Sequence, residues 1–537
     1  MEKPPSYGTC PLQSPAAFLL MLLVIPGLTA GFYSGKELSV HETITGAMLL
    51  TGLAALMLKR GKRNFPYLWQ ERNLYGEFVI GASLLMLFQF LWFQTYIRTA
   101  IAHSYATGMF RTAFRNIHAP LYGYPEIPEI RWAVAMAGCA CLFFLFCRQV
   151  TRRTQALSSP SILVGCLLFQ AAFMIVFALS ENPSRLLDYI GSLATFREDA
   201  VLFQGPLDIL KHFSRSLGEI GSRTAHYPPG FLMFYSIGEK LGISWLFKFS
   251  CYAAALATTI VLWTSSAFFS FSARARFLTA GLFLTAAQVL IYPSHDPCCW
   301  NMLLCLLATV LFLKALAEDR VVFGILSGLA FSLSIHLSYV TFVAGLIPAL
   351  AFLIAFFTRT IGTRILVRQT LITLLTICLV GLGIWLLFDL NIITLVLFSI
   401  AKNHQTIAFH PFESITYYLL RSTGNLLAFF FVIGAPVLTL CAIGTRYLPG
   451  RTGSSLFSIF WLSTLGSLLV AGFSELFILE TERIWIFFTP ALTLMAGHTL
   501  DRILPADETA SVAGVLACSL IPSMVLELFF RSHLAAY

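Results

Sequence analysis

The chain has 537 residues, of which 57% are hydrophobic and 11% are charged, and its formal net charge is +9. Soluble domains carry about 25% charged residues, so this composition excludes a soluble globular protein. Most Lys and Arg residues stand in short clusters between apolar runs. This pattern is typical of membrane topology and argues against nucleic-acid binding.

The apolar runs predict an all-α, polytopic transmembrane helical bundle. A helix needs about 20 apolar residues to cross a bilayer, and about 13 to 15 runs of the chain meet this requirement. The first run, residues 16–33, is preceded by Lys3 as its only positive charge and is interpreted as a retained span rather than a signal peptide. Because no soluble segment or internal repeat interrupts the pattern, residues 1–537 are expected to form a single integral membrane domain.

Clusters of basic residues predict the orientation of the bundle. If each apolar run crosses once, the clusters all fall on one side of the membrane, and by the positive-inside rule that side is cytoplasmic. The N-terminus is then inside. The seven clusters begin at Lys59, Arg148, Arg274, Lys314, Arg359, Arg446 and Arg502.

The opposite side receives three long connections, residues 98–131, 181–230 and 391–425. They are expected to carry short interfacial helices. The amphipathic stretch 230–242 is expected to be such a helix, lying along the membrane surface instead of spanning it. Long connections between spans commonly carry function, because they lie in water.

The connection 181–230 holds the candidate catalytic residues. Asp188 follows a predicted span by a few residues, and a carboxylate held between apolar residues at the membrane surface can act as a base. Asp199 and Asp208 lie in the same connection, and the residues alone separate the three poorly. The connection closes with His226-Tyr227-Pro228-Pro229-Gly230. This motif is either a rigid loop-to-helix transition or the place where His226 joins the chemistry.

Two further polar clusters are predicted at the outer face. His295-Asp296-Pro297 forms a short turn that either assists substrate binding or only shapes the chain. Glu480-Thr481-Glu482-Arg483 stands at the entrance to a span, where the guanidinium either holds a phosphate or anchors the helix at the interface. His336, at an outer helix end, is interpreted as structural. No metal-ligand spacing occurs, so no metal site is predicted.

Together these features resemble the polytopic glycosyltransferases of the GT-C superfamily. The resemblance rests on the many spans, on an acidic residue in a long outer loop and on the His/Tyr-Pro-Pro-Gly turn before a helix. It rests also on Glu480-Thr481-Glu482-Arg483-Ile484-Trp485 followed by Pro490, which is similar to a pattern that precedes a late helix in related proteins.

Members of that superfamily transfer a sugar from a polyprenyl- or dolichyl-phosphate donor on the periplasmic or lumenal face. The resemblance implies that Asp188 is the catalytic base, with His226 beside it, and that Arg483 and Arg223 bind the donor phosphate. The implied supporting residues are Glu480, Glu482, His295 and Asp296. The implied partners are the lipid-linked sugar, a glycan, lipid or protein acceptor, and membrane lipid, with no cofactor and no nucleic acid. The bacterial inner membrane is favoured over the endoplasmic reticulum.

The chain departs from the superfamily pattern in the position of its acidic loop. That loop normally follows the first span, whereas about five apolar runs precede Asp188 here. Glu126 or Glu129 in the earlier connection is therefore an alternative base. The usual Asp-x-Asp pair is missing from the early loops, so metal dependence is not implied.

Two other functions compete with sugar transfer. A multi-pass transporter or lipid flippase usually places ionisable residues at mid-membrane and often shows internal repeats. A non-catalytic assembly scaffold would not need its outer-face carboxylates.

Overall fold

The computed structural model describes residues 75–85, 130–153, 159–181, 186, 189, 192–221, 224–243, 245–294, 296–407, 422, 425–426, 429–430, 432–447, 455–474, 484–504 and 508–529. Every regular element within these ranges is helical, which confirms the all-α class. Three short 3-10 helices, Thr224–His226, Tyr292–Ser294 and Trp485–Phe488, join the α-helices.

The α-helices are, in chain order, α1 (Tyr75–Leu85), α2 (Ile130–Arg152), α3 (Ser159–Glu181), α4 (Ser192–Ala200), α5 (Pro206–Ser216), α6 (Gly230–Lys240), α7 (Leu246–Phe268), α8 (Ala273–Leu284), α9 (Ala287–Ile291), α10 (Cys298–Glu318), α11 (Val321–Leu337), α12 (Thr341–Ala344), α13 (Leu346–Thr358), α14 (Thr363–Phe388), α15 (Ile392–Ile407), α16 (Ala435–Tyr447), α17 (Ser455–Phe473), α18 (Thr489–Ile503) and α19 (Thr509–Phe529).

Seven spans in the described part of the chain are long and apolar enough to cross a membrane, and the bent pair that begins with α8 would be an eighth. The chain is therefore a multi-pass membrane protein. Six of the seven are single helices, and the seventh is formed by α12 and α13 together. The single helices are α2, α3, α7, α10, α14 and α17. The predicted runs centred near Val24 and Leu50 lie outside the described residues, so the larger predicted total stays a prediction.

The hairpin of α10 and α11 defines the two ends of the bundle. Ser327 Oγ donates a hydrogen bond to the carbonyl oxygen of Ala308 (2.8 Å), and Cys305 Sγ lies 3.5 Å from Ser334 Oγ across the same interface. The hairpin turns at Asp319, whose left-handed backbone (φ 55°) ends α10. The two helices therefore run antiparallel, and the first turn of α10 lies at the end away from Asp319.

Basic residues collect at the Asp319 end. Arg368 and Gln369 of α14 both donate to the carboxylate of Asp319, the latter at 3.1 Å. α14 therefore begins beside the last turn of α10. Because α14 is an uninterrupted helix of 26 residues, it ends at the opposite end of the bundle.

α7 and α10 run in the same direction. Trp300 Nε1, in the first turn of α10, donates to Ser250 Oγ near the start of α7 (3.1 Å). α7 thus ends, and α8 begins, at the Asp319 end, where Arg274 Nη1 donates to the carbonyl oxygen of Leu504 (2.9 Å). We call this the basic end, defined by Arg274, Arg320, Arg364 and Arg368.

The opposite end, which we call the loop end, is where α7 and α10 begin and α11 and α14 end. α4, α5 and α6 cover it with an apolar cluster. Phe196 of α4 packs edge-on against Tyr227 (ring centroids 5.4 Å apart) and Phe247 of α7 (5.9 Å). α5 buries Ile209 and Phe213, four residues apart, and exposes its polar face. The described part of the connection 181–230 thus contains two α-helices, α4 and α5, and is folded onto the bundle. The interfacial placement predicted for the stretch that contains α6 stays a prediction.

Candidate functional site at the loop end

The Pro-Pro-Gly turn attaches the long connection to the end of α11. The 3-10 helix Thr224–His226 is followed by buried Tyr227, and α6 begins at Gly230. A Cβ atom on Gly230 would overlap the backbone carbonyl of His336 and approach Leu337 Cδ2 to 2.8 Å. Close approach therefore excludes a side chain at Gly230, and the turn and the end of α11 form one wall.

His336 presents an unpaired nitrogen at this wall. Its Nδ1 lies 2.7 Å from the carbonyl oxygen of Ser332. Because a carbonyl oxygen only accepts, Nδ1 carries the hydrogen, and Nε2 of the neutral ring is an acceptor. Nε2 is buried and has no hydrogen-bond partner within the described ranges. The Nε2 acceptor is therefore unused within the described part of the chain.

Two fully buried polar side chains near the start of α10 and the end of α11 have unpaired atoms. Asn301 has no partner among the described residues for either its amide nitrogen or its amide oxygen, and Ser338 has none for its hydroxyl. Both residues are 0% exposed. Most buried polar groups are hydrogen-bonded, so these two side chains are exceptions at this end of the bundle. Other unpaired buried polar atoms at the loop end belong to Thr224, Tyr339 and Trp485.

Two buried charges lie near Cys251 at the loop end. Lys248, in the first turn of α7, and Asp296, just before α10, are both fully buried. Both act electrostatically on the Cys251 thiol. Asp296 Oδ1 also accepts a hydrogen bond from the backbone N–H of Cys298 (2.8 Å), which caps α10. Asp296 is thus a buried capping carboxylate, and its support of substrate binding stays a prediction.

Asp208, an alternative to Asp188 as the base, has both carboxylate oxygens engaged. Oδ1 lies 2.6 Å from His212 Nδ1, and Oδ2 accepts from the backbone N–H of Gln204 (2.8 Å). The Gln204 N–H is the main cause that lowers the pKa of Asp208, and His212 lowers it further. A carboxylate held in its ionised form in this way is a poor proton acceptor.

Asp199, the other alternative, has one oxygen free. Oδ1 accepts from the backbone N–H of Gly221 (3.0 Å), whereas Oδ2 is buried without a partner in the described part of the chain. Asp199 is therefore a stronger rival to Asp188 than Asp208 is. Among the described residues, no three His, Cys, Asp or Glu side chains are grouped to hold a metal ion.

An apolar groove of about 530 Å³ lies between α10, α11, α13 and α14. It runs from Phe312 of α10 towards the loop end, where Ile335 and Thr341 line it. These two residues stand three positions before and three positions after Ser338 in the chain. The groove therefore reaches the level of the unpaired polar atoms. Its other lining residues include Phe331, Phe342, Phe352, Leu374 and Ile377.

Most of the predicted site residues lie outside the described residues. They are Asp188, Arg223, His295, Glu480, Glu482 and Arg483, together with the alternative bases Glu126 and Glu129. His226 closes the 3-10 helix, and its catalytic role stays a prediction.

Described neighbours show where the flanking chain lies. Tyr189, next to Asp188, packs edge-on against Tyr235 of α6 (ring centroids 5.1 Å apart). Trp485, two residues after Arg483, packs against Phe429 (5.8 Å) and is followed by α18. α18 ends at the basic end, so its start belongs to the loop end. The neighbours of both predicted residues are therefore at the loop end.

Sequence reasoning did not include Asn301, Ser338 or His336 among the site residues. The sequence feature that could have singled out Asn301 is its isolated amide side chain in the apolar run that forms α10. The signal for Ser338 was weaker, since serines are common in membrane helices. Whether such side chains are paired depends on the register of α10 against α11, which the sequence does not reveal.

The similarity of this chain to known proteins is distant. No protein-family model matches the sequence, and no curated protein matches it significantly. Among solved structures, the crystal structure of the Archaeoglobus fulgidus oligosaccharyltransferase in the apo form is similar, with a TM-score of 0.44 and 11% identity over 70% of this chain. The match spans 57% of the length of that protein. A similarity of this degree carries no functional argument, so the function is argued from the loop end itself.

Proposed function

We propose that this protein is an integral membrane glycosyltransferase that transfers a sugar from a polyprenyl-phosphate donor to an acceptor at the loop end. The acceptor class, whether glycan, lipid or protein, stays open. The resemblance of the outer-face motifs to the GT-C superfamily motivates the proposal, and one feature of the structure supports it.

That feature is the apolar groove, whose loop end is lined by Ile335 and Thr341. A groove lined by side chains such as Phe331 and Phe342 suits a hydrocarbon chain, because it offers that chain a mostly apolar wall. At the loop end of the groove, Ile335 and Thr341 stand on either side of Ser338 in the chain, and the Ser338 hydroxyl is buried without a partner among the described residues. A substrate with a long apolar tail and a hydroxylated head matches this sequence of surfaces, and a polyprenyl-linked sugar has that form.

The proposed reaction is a substitution at the sugar C1 atom. The acceptor hydroxyl oxygen forms a bond to C1, and the bond between C1 and the phosphate oxygen breaks, with its electron pair leaving on the lipid phosphate. Asp188 takes the hydroxyl proton, and His226 is the second catalytic residue of this step. Arg483 and Arg223 compensate the phosphate charge, with Glu480 and Glu482 orienting Arg483, since charge-assisted pairs of this kind are the strong ones.

The rival transporter function lacks the feature that would favour it. In the seven candidate spans, every Asp, Glu, Lys and Arg lies within two helical turns of a span end. Transport pathways usually place ionisable groups near mid-membrane. Glu527 of α19 lies outside these seven spans. The distribution of charge in the described spans therefore favours chemistry at one end over passage through the middle.

Transfer of labelled sugar from a polyprenyl-phosphate donor by the purified protein tests the proposal. We expect Asp188→Asn to reduce transfer by about 10²–10⁴-fold, because Asn cannot accept the proton. Asp208→Asn is the matched control and should retain activity. Normal activity of Asp188→Asn with an inactive Glu126→Gln or Glu129→Gln variant would move the base to the earlier connection. If the wild type transfers sugar from none of the lipid donors, the glycosyltransferase function is wrong.

A further inference from the structure

α15 opens the connection 391–425 and begins at the loop end, where α14 ends. The left-handed backbone of Asp389 (φ 56°) stops α14, and Asn391 caps α15. The Oδ1 atom of Asn391 accepts hydrogen bonds from the backbone N–H groups of Ile393 (3.0 Å) and Thr394 (3.4 Å). The start of α15 is therefore fixed relative to the end of α14.

One face of α15 packs into the apolar cluster at the loop end. Leu395 is buried and belongs to the same cluster as Tyr227 and Leu337. The helix also packs against the 3-10 helix Thr224–His226. This inner face of α15 thus supports the segment that closes the connection 181–230.

The opposite face of α15 is apolar and exposed. Ile393 is 66% exposed and Leu397 is 61% exposed. The two are four residues apart, so they lie on one side of the helix, and the exposed Ala401 continues that side. A continuous row of exposed apolar side chains marks a contact surface for protein or membrane.

The lipid-facing surface of α14 leads directly to this exposed face. α14 lies almost wholly on the surface of the bundle, and Leu386 and Leu387 in its last turn are both exposed. Arg368, at the basic end, precedes Phe388 by twenty residues. Twenty helical residues span about 30 Å, which is the thickness of the hydrocarbon core. With Arg368 at one boundary of that core, α14 ends at the other boundary, and α15 begins there.

α15 is too short to be a further span. Its apolar part, Ile392–Ala401, covers about 15 Å, half of what a span needs. The polar run 402–405 follows it in the same helix. An amphipathic helix that begins at the edge of the hydrocarbon lies in the interface, with its apolar side towards the acyl chains.

We propose that α15 is an interfacial helix whose Ile393 and Leu397 side chains insert into the leaflet at the loop end, so that the bilayer holds the 3-10 helix Thr224–His226 in place. The partner is the lipid surface itself. Because the inserted side chains carry no charge, α15 recognises the acyl region and not a particular headgroup. The proposal does not depend on the sugar-transfer reaction, so the two can fail separately.

Quenching by brominated lipids tests the position of α15. The full-length protein, without other reactive thiols, carries a fluorophore on a single cysteine introduced by Ile393→Cys or Leu397→Cys. It is reconstituted in phosphatidylcholine vesicles whose acyl chains bear bromine either near the ester group or near the methyl end. We expect bromine near the ester group to quench both labels more strongly. Leu379→Cys, exposed at the middle of α14, should show the reverse order, and Glu198→Cys, exposed on α4, should show little quenching from either lipid.

Two results would overturn this placement. If the labels at Ile393→Cys and Leu397→Cys are quenched no more than the label at Glu198→Cys, the exposed face lies in water or against protein. If they follow the order of Leu379→Cys, α15 enters the hydrocarbon core and is not interfacial. Both substituted side chains are exposed, so the labelled variants should keep the Tm of the wild type. Should one of them unfold earlier, the other decides.

Hydrogen exchange tests whether the bilayer holds the 3-10 helix. The backbone amides of Ala225 and Tyr227 donate to backbone carbonyls at 3.0 and 2.9 Å. Replacing Ile393 and Leu397 together by Asp should drive α15 out of the interface, and exchange at both amides in vesicles should become about tenfold faster. Leu207→Asp, which changes an exposed side chain on α5, is the matched control and should leave both rates unchanged. Unchanged exchange in the double variant would show that the bilayer does not hold this segment.

Discussion

At the scale of single residues, the carboxylate of Asp199 combines a structural contact with an unpaired oxygen. Oδ1 accepts from the backbone N–H of Gly221, and a Cβ on Gly221 would lie 3.1 Å from Oδ2. Gly221 precedes Arg223 by two residues and His226 by five. Asp199 therefore holds the start of the segment that carries two of the predicted site residues.

We expect Asp199→Ala to destabilise the protein by about 1–2 kcal/mol, because the Gly221 N–H loses a charged acceptor. Asp199→Asn keeps an acceptor oxygen and should recover most of that loss. Thermal unfolding of the two variants checks the prediction, with Glu198→Ala, which changes an exposed neighbouring carboxylate on α4, as the control. Equal Tm values for Asp199→Ala and Asp199→Asn would show that the Gly221 contact does not contribute.

The sequence predicts some of these residues better than others, for a physical reason. The chemistry of a carboxylate such as Asp199 is visible in its residue type, and its place in a polar connection indicates function. The pairing of Asn301 is a tertiary property, because it depends on which face of α10 meets α11. His336 was interpreted as structural for the same reason, since only the structure shows that Nδ1 is used and Nε2 is not.

At the scale of elements, the contact between α6 and α11 positions the long connection. α6 begins at Gly230 against the last turn of α11, and α4 and α5 pack on α6 through Phe196 and Phe213. The polar composition of residues 181–230 predicted a long outer-face loop that carries short interfacial helices. Ile209 and Phe213 are four residues apart, a spacing typical of one face of an amphipathic helix. Because most other residues of α5 are polar, the sequence did not indicate that this face packs against α6.

We expect Gly230→Ala to be destabilising by about 1–3 kcal/mol, because the methyl group would meet the backbone carbonyl of His336 and not a side chain that can move. Gly218→Ala is the matched control at the loop end, since a Cβ there has no atom within 4 Å. Gly230→Ala should lower both the Tm and the rate of sugar transfer, whereas Gly218→Ala should change neither. Equal behaviour of the two variants would show that the α6–α11 contact adapts without cost.

A second contact between elements, at Asp319, predicts a pH dependence. Hydrogen bonds from Gln369, and then from Arg368, lower the pKa of Asp319 below its ordinary value of 3.8. A lowered folded-state pKa contributes stability above the ordinary value, and that stability is lost as the pH falls through the folded-state pKa. The contribution is therefore complete at neutral pH and disappears below about pH 4.

We expect Asp319→Asn to have a lower Tm than the wild type at pH 7. The Tm difference between the two proteins should shrink as the pH falls below about 4. Asn suits the left-handed backbone at this position (φ 55°), so the variant isolates the charge. Unfolding curves between neutral and acidic pH measure the difference. Arg320→Gln is the control, because its guanidinium is 68% exposed and 3.6 Å from Glu318. A Tm difference for Asp319→Asn that does not change with pH would contradict the lowered pKa of Asp319.

At the scale of the whole molecule, charge is distributed unequally between the two ends of the bundle. Arg274, Arg320, Arg364 and Arg368 lie at the basic end, while α4, α5 and α6 and the Ile335 end of the groove lie at the loop end. Composition and apolar run length were sufficient to predict a multi-pass helical protein, because the bilayer imposes both. They were not sufficient to predict which spans pack together, since apolar side chains on neighbouring helices are chemically alike.

The positive-inside rule converts this asymmetry into an orientation in the membrane. We expect the basic end, and with it Lys59, Arg63 and the N-terminus, to face the cytoplasm, and the loop end to face outward. Single cysteines introduced by Arg364→Cys at the basic end and by Val201→Cys at the loop end, in a background without reactive thiols, test this in intact cells. Both positions are exposed, Val201 to 82%.

A membrane-impermeant thiol reagent should label the Val201→Cys variant from outside and should reach Arg364→Cys only after the membrane is opened. Asp188→Cys should behave like Val201→Cys, because Tyr189 beside it packs at the loop end. Labelling of Arg364→Cys from outside would reverse the orientation and would place the proposed sugar transfer on the cytoplasmic face.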